Sequence, residues 1–276
     1  MERVEQFEAL APLLSAQLKK GVFTNNFLGR DDYAREIARG LWVHAFSGGL
    51  LLFRSRAGHH VLNFYLQKDA DLELPVLDGP VVTELVWRPR EAEAADAALE
   101  RFRAAGFAEQ FRRLRRERPA TADANPADAS GALDAAQHSA IAGLAGTEQT
   151  AEVLKFLRTN FDPLTGCLPT EETLAEDVAA GNVACTADSR GLTGVLHFAR
   201  GRASTEIRHL AVRDDCRGQG LAGKLLGAYL QATDHAKSQV WARQGNTPAE
   251  HFYEKHQYRP DGWQSAVLLA GGKEQL

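Results

Sequence analysis

The stretch Cys216–Leu226, CRGQGLAGKLL, decides how the rest of this chain is interpreted, because three glycine-rich signatures overlap within it. The spacing of its three glycines, G-x-G-x-x-G, is typical of dinucleotide-binding folds. From Gly218 to Lys224 the letters spell G-x-x-x-x-G-K, most of a nucleotide P-loop, and Arg217 begins the third signature, R-x-x-G-x-A. In all three, small residues let backbone N–H groups at a helix N-terminus approach phosphate oxygens, where the helix dipole favours negative charge. The loop predicts a phosphate-bearing ligand without saying which one.

Two of the signatures lack the residues that they need elsewhere. A P-loop requires Ser or Thr directly after its lysine to hold Mg²⁺, and position 225 is Leu. A dinucleotide fold requires an acidic residue about 20 positions further on to bind a ribose hydroxyl. The segment around Arg243, WARQGN, contains no acid. The sequence therefore favours neither a nucleoside triphosphatase nor a dinucleotide-dependent enzyme.

The R-x-x-G-x-A signature has its companions in order. The apolar run LAV at 210–212 precedes it, and NTPAEHFYEKHQY at 246–258 follows the next strand-like run. Together they resemble the acetyl-CoA-binding motif and the N-x-x-A-x-x-hydrophobic-Y segment of the GNAT superfamily of N-acetyltransferases, with Asn246, Ala249 and Tyr253 in step. The resemblance covers the chain from about 170 to 270 and implies a GNAT acyl-CoA N-acyltransferase fold. One departure is Gln257, where the family usually has Gly, and it affects only a helix cap.

Composition excludes several classes of protein. The 276 residues carry a formal net charge of −4, which argues against a dedicated nucleic-acid binder. The 3 cysteines are odd in number and show no C-x-x-C spacing, so we expect neither a disulfide framework nor a zinc site, and a reducing cytoplasm fits best. The first residues are acidic and no apolar run reaches membrane-spanning length, so we expect no membrane association.

Hydrophobic periodicity predicts a mixed α/β chain. In the first half we expect helices over 2–20, 31–39 and 91–106, and strands over 41–48, 49–56, 61–67 and 81–88. In the second half we expect one or two helices over 134–161, further helices over 171–180, 221–236 and 247–256, and strands over 182–189, 191–201, 204–212, 238–243 and 263–270. Hairpin strands followed by a strand-loop-helix-strand unit predict a mixed sheet with helices on its faces.

A weak internal repeat relates the two halves. TELVWR resembles SQVWAR, and ALERFRAAGF at 98–107 overlays AEHFYEKHQY at 249–258, which aligns Phe102 with Tyr253. Between its corresponding strands the first half has only KDADLELPVLDGP, with no glycine loop. The segment after Arg118 is rich in Ala, Asp and Pro, as expected of a linker. We therefore predict a degenerate GNAT-like domain at 1–118, a linker at 119–133 and a complete GNAT domain at 134–276.

The resemblance implies which residues bind acetyl-CoA, the co-substrate, without a metal. Backbone groups of the LAV run are expected to pair with the pantetheine arm and to polarise the thioester, and those of the glycine loop to hold the pyrophosphate with Arg217 beside it. Asn246 is expected either to bind the cofactor or to cap the following helix. The predicted cofactor-binding residues are Leu210, Ala211, Val212, Arg217, Gly218, Gln219, Gly220, Leu221, Ala222, Gly223 and Asn246.

The resemblance also suggests two catalytic residues. Tyr253 lies where the family's tyrosine protonates the departing thiolate, and the alternative is a buried core tyrosine. Glu206 resembles in placement a general-base glutamate of the histone acetyltransferases; strict alternation puts it on the face of Leu210, and the alternative is an exposed, ion-paired strand glutamate. Alternation places His209 on the opposite face, where we expect a structural hydrogen bond.

These observations predict an acetyl-CoA-dependent N-acetyltransferase in which a small-molecule or peptide amine attacks the thioester directly. Two alternatives stay open. One is a non-catalytic acyl-CoA-binding or regulatory protein. The other gives the first half the role of recognising the acceptor. We expect no nucleic-acid or membrane partner and allow for a homodimer.

Overall fold

The computed structural model describes residues 1–18, 21–68, 70–120 and 142–271. Its helices are α1 (Phe7–Ala16), α2 (Arg30–Arg39), α3 (Ala92–Ala104), α4 (Thr150–Asn160), α5 (Glu171–Ala179), α6 (Leu221–Ala232) and α7 (Thr247–Lys255). Its strands are β1 (Glu2–Arg3), β2 (Val22–Thr24), β3 (Leu41–Phe46), β4 (Gly49–Arg56), β5 (His59–Gln67), β6 (Val81–Trp87), β7 (Ala108–Arg118), β8 (Gly143–Leu144), β9 (Val183–Asp188), β10 (Gly191–Arg200), β11 (Thr205–Val212), β12 (Ser238–Arg243) and β13 (Arg259–Ala270).

The chain divides into two compact units. Unit 1 comprises Met1–Leu114 and Gly262–Leu276, and unit 2 comprises Arg115–Asp261. The predicted domain limits 1–118 and 134–276 stay predictions. Most of the predicted linker 119–133, and the predicted helix from 134 to 141, lie outside the described residues.

Unit 1 is built on a sheet with strand order β1-β3-β4-β5-β6-β13, and β2 pairs with β5. The helix α3 packs its buried residues, spaced three or four apart, against one face: Ala95, Ala98, Leu99 and Phe102. On the other face, a second cluster includes Leu10 of α1 and Tyr33 of α2. The last strand of the chain completes this sheet, because Gln264–Ala270 pairs antiparallel with β6.

Unit 2 has the strand order β12-β11-β10-β9-β8. Because β11 and β12 run parallel, a crossover must join them, and α6 supplies it. On one face, leucines of α6 pack with Phe198, Ile207 and Tyr253. On the other, α4 and α5 pack with Val183 and Val195. The two faces of this sheet are therefore covered by different helices.

Three predicted helices differ most from the structure. The helix predicted over 2–20 begins only at Phe7, because Glu2 and Arg3 pair with β3. The helix predicted up to 161 begins at Thr150, after the short strand β8. The helix predicted to reach 236 ends at Ala232, since Asp234 and His235 have the positive φ angles 48° and 52°, which a helix cannot accommodate.

The predicted repeat has a counterpart in the geometry of each unit. After α3 the amide of Phe107 donates to the carbonyl of Phe102 at 2.9 Å, and after α7 Tyr258 donates to Tyr253 at the same distance. The two ring pairs meet edge to face, with centroids 5.1 Å and 5.4 Å apart. Both helices thus end in the same i to i−5 closure.

That closure requires a left-handed residue just before its donor, and Gln257 occupies this position in unit 2 with φ +67°. Gln257→Gly is expected to stabilise the protein by about 1 kcal/mol, because a side chain in this conformation clashes with its own backbone. The measurement is the urea midpoint at unchanged slope. The matched control is Gly106→Gln at φ +89° in unit 1, which is expected to lose a similar amount. Equal stability of Gln257→Gly and the wild type would contradict this explanation.

Candidate active site

The glycine loop ends in a helix N-terminus that has no side-chain cap in the described structure. Gly218 and Gly220 take left-handed φ angles of 78° and 75°, and α6 starts directly after them. The first helical hydrogen bond runs from the amide of Lys224 to the carbonyl of Gly220 at 3.1 Å. The preceding amides, 221–223, therefore have no acceptor within the helix. In contrast, Thr170 caps α5 with its side chain.

Local packing does not explain why residue 223 is a glycine. A Cβ at this position would be 3.8 Å from the Nε2 atom of His256, which is an ordinary contact. Positive φ is also absent here, unlike at Gly218 and Gly220. A small residue is nevertheless what close approach of a ligand to the helix amides requires.

An ion-pair network fixes the turn that leads into this loop. Arg213 contacts Asp188 at 2.5 Å and Asp215 at 2.6 Å, and Arg190 contacts Asp215 at 2.7 Å. The hydrogen bond from Arg213, with one from the Arg190 amide, lowers the pKa of Asp188 to about 2, so that the carboxyl is charged at neutral pH. Arg217 is 68% exposed and pairs with an exposed aspartate, which leaves it accessible to a phosphate.

The strands β11 and β12 diverge after a short parallel pairing. The pairs are Thr205 with Ser238, Glu206 with Gln239 and Ile207 with Val240. On its other edge β11 stays paired with β10 as far as Val212. In the described register, the edge of 210–212 that faces β12 therefore has no strand partner. This is the predicted position of the pantetheine and thioester.

Two parallel strands of unit 1 diverge in the same way, but a side chain of unit 1 itself fills the gap between them. The strands β5 and β6 pair in parallel over His60–Leu62 and Val81–Thr83 and then separate. The side-chain amide of Asn25 donates to the carbonyls of Leu62 at 3.1 Å and Glu84 at 3.0 Å, and its oxygen accepts from the amide of Phe64 at 2.8 Å. Because these backbone groups are already satisfied, unit 1 offers no equivalent strand edge to a ligand.

The faces predicted for β11 need a correction. The register with β10 shifts between His197 and Phe198, which leaves Arg208 as an extra residue in β11, a β-bulge. Glu206 and His209 consequently share one face, and Leu210 lies on the other, in the α6 core. The prediction that Glu206 lies on the face of Leu210, opposite His209, is wrong. Strict alternation fails at a bulge, and the sequence gives no sign of one here.

The corrected position places Glu206 on the face where an acceptor could approach. The α6 side of β11 is filled by the core, and on the other side the helices α4 and α5 pack with residues of β9 and β10, so the free edge could be approached on the Glu206 face beside β12. Two partly buried side chains of β12 lie on this open face by alternation, those of Gln239 and Trp241. Sequence reasoning missed a second acid, Glu117, which bonds to Gln239 at 3.2 Å and to Lys237 at 2.8 Å.

Tyr253 is buried in the α6 core, with 6% of its surface exposed. Its ring meets those of Phe252 and Tyr258 edge to face. Among the described residues its hydroxyl has no hydrogen-bond partner. Burial raises the pKa of Tyr253, so the hydroxyl stays protonated at neutral pH and has a proton to donate.

A buried chain of hydroxyls lies beside Tyr253, and sequence reasoning missed it. Thr205 bonds to Tyr229, Tyr229 to Ser238 at 2.6 Å, and Ser238 to Tyr258 at 2.6 Å. These hydroxyls satisfy one another in the core, so their role is to hold the start of β11 and β12 together. Asn246 also has a structural bond, because its side chain caps α7 by accepting from the amide of Ala249 at 3.3 Å.

Comparison with known proteins agrees with the predicted fold. Residues 175–260 match the family model described as an acetyltransferase (GNAT) domain. A GNAT-family acetyltransferase from Colwellia psychrerythraea is 14% identical, with a TM-score of 0.54 over 98% of both chains. A GCN5-related N-acetyltransferase from Sphaerobacter thermophilus is 11% identical, with a TM-score of 0.53 over 95% of this chain and 91% of that one.

A third solved structure is a tandem GNAT protein from the clavulanic acid biosynthesis pathway, without acetyl-CoA. It is 12% identical, with a TM-score of 0.54 over 84% of this chain and 82% of that one. A comparison with curated protein sequences found no match. The predicted α/β fold of GNAT type is confirmed, and the tandem arrangement with a degenerate first copy stays a prediction. The chain carries a GNAT acetyltransferase domain.

Neither a membrane-spanning helix nor a cluster of metal-binding side chains occurs among the described residues. None of the helices there is long and apolar enough to cross a bilayer. No group of three or more His, Cys, Asp or Glu side chains in those residues could hold a metal ion. The expectation of metal-free chemistry stays a prediction.

Proposed function

We propose that the chain is an acetyl-CoA-dependent N-acetyltransferase whose acceptor is a primary amine of a small molecule or peptide. The observation that carries the proposal is the conjunction, within unit 2, of uncapped amides at the start of α6 and an unpaired strand edge at Leu210–Val212. The first suits a diphosphate, and the second suits an amide-bearing arm. The proposal includes a cytoplasmic location and allows for a homodimer.

Bound acetyl-CoA supplies a thioester whose carbonyl becomes an oxyanion when an amine attacks it. The amides 221–223 and Arg217 would hold the diphosphate, and the free edge of β11 would orient the thioester and donate to the developing oxyanion. Glu206, directly or through one water, takes the proton that the ammonium must lose before its nitrogen lone pair attacks. The carbon–sulfur bond then breaks, and Tyr253 donates its hydroxyl proton to the departing thiolate. The nitrogen loses its second proton as the amide forms, and this proton restores the Tyr253 hydroxyl through solvent.

The two faces of β11 separate these proton transfers. Glu206 lies on the open face and Tyr253 in the core on the other face, so that base and acid act from opposite sides of the strand. This arrangement suits direct attack, in which the amine enters from one side and the thiol leaves on the other.

The experiment is thiol release from acetyl-CoA with a panel of amines, followed by the same assay on Glu206→Gln. We expect release with at least one amine and a fall in kcat of about 100-fold for the variant, because general base catalysis is typically worth this much. Binding of acetyl-CoA should be unchanged. Tight binding with no turnover on any amine would favour the alternative, a non-catalytic acyl-CoA-binding protein.

A further inference from the structure

The imidazole ring of His256, the residue directly after α7, faces the first turn of α6. A Cβ at Gly223 would lie 3.8 Å from Nε2 and 3.9 Å from Cε1 of this ring, its nearest neighbours outside the helix. Turning the ring over exchanges these two atoms, so Nε2 lies on the edge that faces Gly223 in either orientation. The function proposed above gives His256 no role.

Nε2 of His256 therefore lies beside the backbone donors at the start of α6. Gly223 is the third residue of this helix, and the Cα–Cβ direction of a helical residue tilts towards the helix N-terminus. The amides 221–223 are the ones without an acceptor within the helix. The imidazole edge adds a side-chain donor to this group of backbone donors.

The absence of a side chain at residue 223 leaves a space between the ring and the helix. An alanine methyl group would fill this space, in ordinary van der Waals contact with His256. Neither packing nor a positive φ angle requires glycine at this position. A ligand atom that enters between the ring and the amides does require it, because a side chain would occupy the same place.

Packing rather than hydrogen bonding holds the ring. His256 is partly buried, and its ring packs against that of Phe252 with centroids 4.7 Å apart. Its backbone amide donates to the carbonyl of Phe252 at 3.2 Å. Within the part of the chain that the structure describes, neither ring nitrogen has a hydrogen-bond partner. The position of the imidazole is thus fixed while its donor stays available to a ligand.

The charges around His256 favour an anion. Burial, and then the positive charges of Lys255 on α7 and Arg118 on β7, lower the pKa of His256. The ring is therefore neutral at neutral pH and has one N–H to donate. On α6, the charged residue next to Gly223 is Lys224, which is also a cation, and the helix dipole adds positive potential at the same end.

We infer that His256 is a further phosphate-binding residue, whose Nε2–H donates to an oxygen of the diphosphate held by the amides 221–223. The inference rests on the proposed function, because it assigns a second donor group to the same ligand. The bound oxygen occupies the space that Gly223 leaves open. Because α7 also carries Tyr253, this hydrogen bond ties the helix of the proposed proton donor to the bound cofactor.

Titration calorimetry with acetyl-CoA on two variants of His256 tests the inference. In His256→Phe the aromatic ring can still pack against Phe252 but has no N–H, and we expect the affinity to fall at least about tenfold, as the loss of one hydrogen bond to a charged group implies. In His256→Gln the side-chain amide nitrogen reaches the position of Nε2 and can still donate. Its affinity should stay within about threefold of the wild type.

The matched control is His251→Phe, which makes the same change at an exposed position of the same helix. Its affinity for acetyl-CoA should equal that of the wild type. Inorganic pyrophosphate is a second probe, because it carries the diphosphate without the rest of the cofactor. In nitrogen NMR of the wild-type protein, saturation with acetyl-CoA or with pyrophosphate should shift the Nε2 resonance of His256 and leave that of His251 in place.

Three results would overturn the inference: an affinity of His256→Phe within about threefold of the wild type, equal losses in His256→Phe and His256→Gln, or an unmoved His256 resonance with both ligands. A wild-type protein that fails to bind acetyl-CoA, yet shows the response of His256 to pyrophosphate, would contradict the proposed function and leave the role of His256 in place. Binding of acetyl-CoA with wild-type affinity in His256→Phe would do the reverse.

Discussion

Gly223→Asp is expected to lower the affinity for acetyl-CoA by about 100-fold, equivalent to about 2.7 kcal/mol, without unfolding the protein. The substitution places a carboxylate in the first turn of α6, where it repels the diphosphate and competes for the same amides. The fold should tolerate it, because an acidic residue at this position suits the helix dipole and the nearest atom leaves room for a Cβ. Titration calorimetry of the folded variant measures the loss.

The matched control is Gly227→Asp, one turn further along the same helix. A Cβ there meets nothing within 4 Å, so the same change of residue and charge is made away from the helix start. Its affinity for acetyl-CoA should stay within about threefold of the wild type, because the dipole effect fades within the first turn. Equal losses in both variants would mean that net charge, rather than the amides of α6, governs binding.

Tyr253→Phe is expected to lower kcat about 100-fold while leaving stability almost unchanged. The hydroxyl would donate a proton to the leaving thiolate, and within the described structure it has no hydrogen bond to lose. Steady-state thiol release with the best amine measures kcat, and urea unfolding measures stability.

Tyr258→Phe is the control with the opposite expectation. This hydroxyl ends the buried chain through Ser238, so its removal should cost about 1 kcal/mol of stability and change kcat little. A wild-type kcat in Tyr253→Phe would show that Tyr253 is not the proton donor to the thiolate. Full activity together with lost stability would return Tyr253 to the role of a core residue.

The sequence predicts more of the fold than of the candidate site. The glycine loop of 216–226 and the segment 246–258 each require particular residues at fixed spacing, so together they predict a GNAT domain from the sequence alone. The left-handed conformation of Gln257 follows from the same alignment, because the family's glycine is a cap.

The bulge at Arg208 could not be predicted in the same way. One extra residue in a strand does not hide the apolar pattern that predicts the strand. Every side chain beyond it, however, lies on the opposite face from the one that strict alternation predicts. The side of the strand on which Glu206 lies depends on that residue, and therefore so does its access to an acceptor.

Buried polar chains are equally invisible in a single sequence. Asp177, His197 and His209 are separated along the chain and meet only after α5 and β10 pack on β11. Only the folded structure shows that the nitrogens of His197 and His209 lie within hydrogen-bond distance of each other. The role of Asn25 is equally hard to predict from the sequence. Its side chain lies between the diverging strands of unit 1 because β2, which directly precedes it, pairs with β5.

The most direct test of the central claim is amide NMR during titration with acetyl-CoA. If backbone amides at the start of α6 hold the diphosphate, the resonances of Leu221, Ala222 and Gly223 should shift most and saturate together, and NADH at the same concentration should leave them in place. Saturable binding of acetyl-CoA with these three amides unmoved, or an equal response to NADH, would contradict the account.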